Sequence, residues 1–321
     1  MTGSAPPGLG ARVTAWFFPL LPNSRIAVLR AAIYLFVVVD VLVMVNDVVP
    51  KASTGAAFYQ PVAAARLIHL PEPHEHVVVA LRAFLVLAAL VAATNRLPRL
   101  LGWPIAVGHL IWVLYGMSYG KVDHDHLALL VALFVLPTVG RSHPHDHRAD
   151  ERAGWALRCI QLAVVCTYTL SVWAKVRYGG LDWPTGATLM WAVERRGTFL
   201  GEHLVHVPDL LVLAQWVTVL AELAAPLVFF LKGRKLGLAV GFYLSFHLIT
   251  YAVISIHFLP LVVCWLSFAP LEKIGAKLPG PRVRPSIRRQ PAGLGAPGHA
   301  VAISGDQAVE AVADPPERRD A

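Results

Sequence analysis

Long apolar stretches with few charges constrain this chain more than any other feature. A helix needs ~20 mostly apolar residues to cross the hydrocarbon core of a bilayer, and several stretches approach that length without a cluster of turn residues. Of the 321 residues, 56% are hydrophobic and 15% charged, which is more apolar surface than a soluble domain can bury. We therefore predict an all-α fold, a polytopic transmembrane bundle of about eight helices. The predicted spans are residues 26–49, 77–93, 104–119, 127–139, 156–174, 210–231, 236–256 and 258–271.

The basic residues flank these stretches, and their distribution predicts the topology. Arginines and lysines are concentrated in alternate connections, at residues 96–99, 141–158 and 232–235. Cytoplasmic loops of membrane proteins are enriched in these residues. The bias predicts a multi-pass protein of the plasma (inner) membrane with both termini in the cytoplasm. The net charge of +8 is then a topology signal, and the basic residues form no single stripe of the kind that binds nucleic acid.

Composition divides the chain into two regions. Residues 1–275 contain all the predicted spans and form the helical domain. Residues 276–321 are rich in proline, glycine and arginine and have few large apolar side chains. Such a segment cannot bury a core, so we predict a disordered cytoplasmic tail.

Five ionisable side chains within the predicted spans are candidates for a site, because each such group at membrane depth costs at least ~2.5 kcal/mol on insertion scales. Asp40 and Arg82 lie near the outer ends of the first two spans, where they can form an ion pair that fixes helix packing or takes part in a site. Glu222 and His247 lie in consecutive helices and are predicted to meet in the bundle interior. His109 lies in the third span. We expect both carboxylates to face the bundle rather than lipid.

A second group of polar residues is predicted at the outer ends of the spans. Asp123, His124 and His126 lie where the fourth span begins, and Lys175 lies at the outer end of the fifth. The charge rule places both segments on one side of the membrane, so these side chains can line one outward-facing cavity. A lysine among apolar side chains can lose its charge through desolvation and act as a base. The alternative is an interfacial lysine that reaches to the head groups.

Two segments of the sequence are rich in histidine, a common metal ligand. The run Asp123 to His126 has ligand types that suit zinc or iron, but no convincing third ligand set accompanies it. His143, His145 and His147 fall in a loop predicted to be cytoplasmic and solvated. We therefore predict no metal site.

Three segments carry a family resemblance: "VDHDHLALLVAL", "VWAKVRYGGLDWPTG" and "FHLITYAVISIHFLPLVVCWLSFAPLE". In order and spacing they resemble the HTTM (horizontally transferred transmembrane) family, which includes the membrane domain of vitamin K-dependent γ-glutamyl carboxylase. The resemblance implies that Lys175, ahead of Trp183 and Gly186, is the base that deprotonates a hydroquinone. His124 matches the histidine that opens the helix after the outer loop, and His247 matches a histidine of the third segment.

The leading hypothesis is a quinone- or lipid-handling membrane protein, an oxidoreductase or an enzyme with carboxylase- or epoxidase-like chemistry on a hydroquinone. The cofactor implied by the resemblance is a reduced isoprenoid quinone, held in an apolar cavity between helices. A small-molecule transporter is the alternative, since Asp40, Arg82, Glu222 and His247 can equally define a polar path. A third class is a non-catalytic membrane scaffold. The expected partners are the lipid bilayer and a lipid or quinone ligand, and no nucleic acid.

Overall fold

A computed structural model describes residues 8–44 and 47–278 of the chain. Helix dominates these residues. The strands among them are β1, Leu21–Pro22, and β2, Ala149–Asp150, which form one short antiparallel pair. The predicted all-α class is therefore confirmed. From residue 279 onward, the predicted tail lies outside the described residues.

Each predicted span contains a helix, and further short helices lie in the connections. In chain order the α-helices are α1 Leu9–Phe17, α2 Asn23–Val43, α3 Val49–Ala52, α4 Ala63–Leu67, α5 Glu75–Ala93, α6 Gly102–Met117, α7 His126–Val135, α8 Glu151–Gly179, α9 Asp182–Thr185, α10 Thr188–Arg196, α11 Phe199–Leu204, α12 Pro208–Ala224, α13 Gly233–Ile254, α14 Leu259–Cys264 and α15 Glu272–Gly275. The 3-10 helices are Ala56–Phe58, Leu136–Val139, Ala225–Phe230 and Trp265–Phe268.

Among the described residues, five helices are long and apolar enough to cross a membrane: α2, α5, α8, α13, and α12 together with its following 3-10 turn. α6, α7 and α14 are apolar but shorter, even where a 3-10 turn extends them. α12 and α13 expose large apolar side chains, including Leu213, Leu220, Leu238 and Leu248. An apolar exterior of this kind is compatible with an integral membrane protein.

The first span is shorter than predicted. It was expected to reach residue 49, but α2 ends at Val43 and α3 begins at Val49. The backbone N–H of Val49 donates to Oδ1 of Asp47 at 3.0 Å, and Pro50 follows in the first turn. Asp47 thus satisfies the first backbone N–H of α3, and a first-turn proline favours the start of a new helix. A continuous helix through Pro50 would also lose a backbone hydrogen bond.

The core lies around α2 and α7. α2 packs on α5, and α7 packs on both α6 and α8. Along α2, Ile26, Leu29, Ile33 and Val37 are fully buried. Their spacing of three and four residues places them on one helix face. The buried residues of α8 lie mainly between Ala153 and Tyr168, and the candidate site lies along the carboxyl-terminal part of the same helix.

Candidate functional site

A cavity of about 180 Å³ lies between α8, α12 and α13, near the start of α14. Its wall is partly polar, with Lys175 and Glu222 on one side and His124 and His247 among the other lining residues. Phe246, Ile254, Phe258 and Leu261 supply much of its apolar wall. Four of the residues singled out from the sequence are thus brought to one cavity.

Lys175 and Glu222 form the central polar contact of this cavity. Nζ of Lys175 donates to Oε1 of Glu222 at 2.7 Å and to Oε2 at 2.5 Å. It also donates to Oγ of Ser171 at 2.7 Å. The lysine side chain is 15% exposed and the glutamate side chain 8%, so the pair is largely shielded from solvent. The amine was expected to lie among apolar side chains, but it has a carboxylate partner that compensates an ammonium charge.

His247 belongs to a hydrogen-bonded chain on the other side of the cavity. Oη of Tyr168 lies 2.6 Å from Nε2 of His247, and Nε1 of Trp265 donates to the same hydroxyl at 3.0 Å. The tyrosine can therefore accept from the indole and donate its own proton to an imidazole protonated on Nδ1. Such a chain fixes the orientation of His247 at the cavity. Glu222 and His247 share the cavity, as predicted, although their hydrogen bonds go to different partners.

Helical spacing brings the residues of α8 together. Tyr168, Ser171 and Lys175 follow at intervals of three and four residues, so they occupy one face of the helix. Glu222 lies in the last turn of α12, where Oη of Tyr243 donates to the carbonyl of the adjacent Ala221 at 2.7 Å. The site therefore depends on the packing of α8, α12 and α13.

The segment after α8 closes over the lysine. The ring of Trp183 lies 4.9 Å from Nζ of Lys175, within the range of a cation–π contact. Gln215, which is 1% exposed, holds this segment in place. Its Nε2 donates to the carbonyls of Pro184 and Gly186 at 2.9 and 3.0 Å, and its Oε1 accepts from the backbone of Leu189 at 2.6 Å.

A second polar cluster is buried apart from the cavity. Oδ2 of Asp40 lies 2.9 Å from Nε2 of His109, and Oδ1 lies 3.2 Å from Nε2 of His126. Nδ1 of His126 lies 3.4 Å from Oδ1 of Asp125. The three central side chains, from α2, α6 and α7, are each at least 90% buried. Asp40 and Glu222 thus both face the protein interior, as predicted.

Two of the proposed site residues lie elsewhere. Nη1 of Arg82 lies 3.5 Å from Oδ2 of Asp47, so Arg82 does not pair with Asp40 as the sequence suggested. The reason is that Asp40 is turned toward α6 and α7, whereas Arg82 lies on α5, where its side chain is 31% exposed. Oδ1 of Asp123 lies 2.8 Å from Nζ of Lys121 rather than in the cavity lining. No group of three or more metal-ligating side chains suitable for an ion occurs in the described ranges.

Tyr168, Ser171 and Gln215 belong to the site but were not predicted from the sequence. For Tyr168 and Ser171 a signal was present, because they precede Lys175 by seven and four residues and therefore share its helix face. Gln215 carried no comparable signal, since its partners are backbone groups of a neighbouring connection. Arg30 was not predicted either, although it is fully buried in α2 and lies only four residues after the predicted start of the first span.

The cavity can hold a small polar group in contact with an ion pair, an imidazole and a phenol. Its volume is below the ~300–1,000 Å³ of pockets that enclose drug-sized molecules. It therefore suits the head of an amphipathic molecule whose remainder extends beyond the cavity. Comparison with family models, curated proteins and solved structures found no match to this chain.

Proposed function

We propose that this chain is a multi-pass integral membrane protein whose cavity beside Lys175 binds the polar end of a lipid-soluble molecule and exchanges protons with it. The observation that carries the proposal is the shielded Lys175–Glu222 pair in the wall of a cavity that His124 and His247 also line. Titratable groups that converge on a partly apolar cavity are typical of a binding or catalytic site.

The membrane part of the proposal is a bundle of about eight crossings in the plasma (inner) membrane, with both termini cytoplasmic. The length of α8 supports it, because Arg152 and Lys175 are ~35 Å apart along a straight helix, close to the thickness of a bilayer core. A cysteine placed at Gly180 in a chain free of native cysteines should react with an impermeant thiol reagent in intact cells. A reporter fused at Gly305 should be active only if it functions in the cytoplasm. The reverse pattern would invert the topology.

The ligand we propose is a reduced isoprenoid quinone, and the family we propose is HTTM. A proton shift from Lys175 to Glu222 gives a neutral amine beside a neutral acid. The amine then takes the proton of a hydroquinone hydroxyl, which leaves a hydroquinone anion beside the new ammonium. His124 orients the hydroxyl, and the charge of the anion is balanced by the lysine. Carboxylase- or epoxidase-like chemistry would begin from this anion.

The direct test is chemical analysis of the purified protein. Organic extraction followed by mass spectrometry should identify an isoprenoid quinone bound to the wild type, and Lys175→Ala and Glu222→Gln should lower its amount. Lys232→Ala is the control, because Lys232 is exposed and lies at the other end of the bundle. Equal amounts of quinone in the wild type, the site variants and the control would refute a quinone site at Lys175.

The buried Asp40–His109–His126 cluster favours a second function, proton-coupled transport. A carboxylate between two imidazoles in a membrane-spanning bundle is the kind of group that proton relays use. Flux of a solute into proteoliposomes, abolished by Asp40→Asn, would support a transporter. A change in the redox state of added menaquinol, abolished by Lys175→Ala but retained in Asp40→Asn, would support the enzyme.

A further inference from the structure

Two adjoining clefts rich in arginine lie at the end of the bundle where α8 begins, far from Lys175. Arg96, Arg99, Arg141 and Arg152 line one of them, which has a volume of about 460 Å³. Arg96 and Arg141 also line the second, of about 820 Å³, together with His143. No carboxylate is among the described residues that line either cleft. We call the two together the basic clefts.

A buried scaffold positions the segments that carry these arginines. Arg30 is fully buried, and its Nη1 donates to Oδ1 of Asn95 at 3.1 Å and to Oγ of Ser142 at 3.2 Å. Its Nη2 donates to the carbonyl of Leu136 at 3.0 Å. Asn95 and Ser142 directly precede or follow Arg96 and Arg141 in sequence. The side chain of Arg30 therefore ties the α5–α6 connection to the α7–α8 connection and sets the spacing of the two cleft arginines.

Apolar side chains accompany the arginines. Leu97 and Val91 line the second cleft and are 37% and 46% exposed, and Leu100 lines the first and is 68% exposed. A free anion in water gains nothing from these side chains. A lipid offers a phosphate for the guanidinium groups and acyl chains for the leucines and the valine.

The positive-inside bias explains why arginines are frequent at one end of a bundle, but it does not require them to converge. Here residues from three segments converge on one cavity lining, and carboxylates are absent from that lining although Asp146, Asp150 and Glu151 lie nearby in sequence. Asp146 is bonded to Arg148, outside the clefts. Uncompensated guanidinium groups that face one cleft are suited to a multiply coordinated oxyanion.

We propose that the basic clefts bind a phosphate group, and that an anionic membrane lipid supplies it. Arg96 and Arg141 contact the phosphate from both clefts, Arg99 and Arg152 add further positive charge, and Val91, Leu97 and Leu100 contact the acyl chains. The site is independent of the cavity at Lys175. It binds its ligand through charge and apolar contacts and takes part in no reaction.

The test measures binding of phosphatidylglycerol to the purified full-length protein in detergent by native mass spectrometry and by the unfolding midpoint. Phosphatidylcholine and inorganic phosphate are the comparison ligands. Arg96→Gln with Arg141→Gln should weaken phosphatidylglycerol binding by about 30-fold. The matched control is Arg195→Gln with Arg196→Gln, which removes the same charge from two exposed arginines of α10.

The outcomes separate the sources of the phosphate. Preference for phosphatidylglycerol over both other ligands, lost in the Arg96/Arg141 variant and kept in the control, supports a lipid site. If inorganic phosphate binds as tightly as phosphatidylglycerol, competes with it, and is lost in the Arg96/Arg141 variant, the clefts are a phosphate site and the lipid is refuted as its source. Equal weakening in both double variants, or equal binding of phosphatidylcholine, overturns the proposal. Should the double variant fail to fold, the wild type still decides, because phosphatidylglycerol binding that does not weaken with salt also overturns it.

Discussion

Oδ2 of Asp40 lies 2.9 Å from Nε2 of His109, at a point where the imidazole is fully buried and the carboxylate side chain is 2% exposed. The other carboxylate oxygen faces Nε2 of His126 at 3.2 Å. A carboxylate only accepts hydrogen bonds, so each histidine must carry a proton on Nε2 to bond it. One carboxylate therefore requires a proton on Nε2 of both histidines and joins α2, α6 and α7.

Loss of this carboxylate should destabilise the bundle. Asp40→Leu removes the acceptor of Nε2 in both His109 and His126, and we expect a loss of about 3 kcal/mol in the free energy of unfolding, because breaking a buried pair costs that order of energy. Asp47→Asn is the control, since the Asp47–Arg82 pair is 39% and 31% exposed and its loss should cost less than ~1 kcal/mol. The measurement is denaturant unfolding in detergent. Equal losses in the two variants would mean that the Asp40 cluster contributes no more than a surface pair.

Arg30 should be sensitive to the shape of its side chain as well as to its charge. It donates three hydrogen bonds from two guanidinium nitrogens and is fully buried. Arg30→Lys keeps the charge but has a single nitrogen in place of the two guanidinium nitrogens that donate these bonds. It should therefore lower the free energy of unfolding by about 2 kcal/mol or more. Arg30→Met removes the charge as well and leaves Asn95 and Ser142 without this donor. Unfolding of both variants at pH 7 is the measurement. A lysine variant as stable as the wild type would show that charge alone suffices.

A pH-dependent contact is predicted outside the helices. Nε and Nη2 of Arg148 each donate to Asp146 at 2.9 Å, and these bonds lower the pKa of Asp146 from 3.8 to about 2. The folded state therefore releases this proton more readily than the unfolded state. The resulting stabilisation is complete above pH about 4 and is lost as the pH falls toward 2.

The expected effect of Asp146 is small, because the side chain of Arg148 is 83% exposed. Asp146→Asn should lower the unfolding midpoint slightly at pH 6 and leave it nearly unchanged at pH 2. Glu194→Gln, which changes an exposed carboxylate of α10, is the control for the loss of one negative charge. A difference between wild type and Asp146→Asn that is constant from pH 6 to pH 2 would contradict the linkage.

The sequence predicted the positions of the apolar helices well, because hydropathy over ~20 residues depends on local composition. It did not predict the break after Val43, where a new helix begins beside the hydrogen bond between Asp47 and Val49, with Pro50 in its first turn. The short helices α9 to α11 were also missed, since Gln215 and Thr198 hold that connection through long-range bonds. Thr198, for example, donates from Oγ1 to the carbonyl of Ala252 at 2.5 Å.

The residues of the candidate site were easier to select than to pair. A charge within a predicted membrane span or at its end is conspicuous in the sequence, and Asp40, Glu222 and Lys175 are all shielded. Which charges meet depends on helix rotation and crossing, which local spacing does not encode. For this reason the sequence predicts that Glu222 and His247 meet in the interior but not that Glu222 bonds Lys175, and it suggests a pair of Arg82 with Asp40 where the structure has Arg82 at Asp47.

The Lys175–Glu222 pair makes it possible to separate stability from chemistry. Lys175→Met leaves a buried carboxylate unpaired and should lower the free energy of unfolding by about 3 kcal/mol. Lys175→Met combined with Glu222→Leu removes both charges and should restore most of that loss, because apolar replacement of a whole buried pair is often neutral. A double variant as unstable as the single one would show that the cavity requires the charges for folding.

Lys175→Arg tests the proposed base. A guanidinium can keep two hydrogen bonds to Glu222, so the variant should lie within ~1 kcal/mol of the wild type in stability. It cannot become neutral in a protein, and the proton shift to Glu222 that frees the amine is therefore blocked. We expect it to retain binding of a reduced isoprenoid quinone and to lose any turnover of it, with His124→Ala impaired as well. The measurements are co-purified quinone by mass spectrometry and the redox state of added menaquinol. Turnover by Lys175→Arg at the wild-type rate would show that a fixed positive charge is sufficient and that Lys175 is not a base.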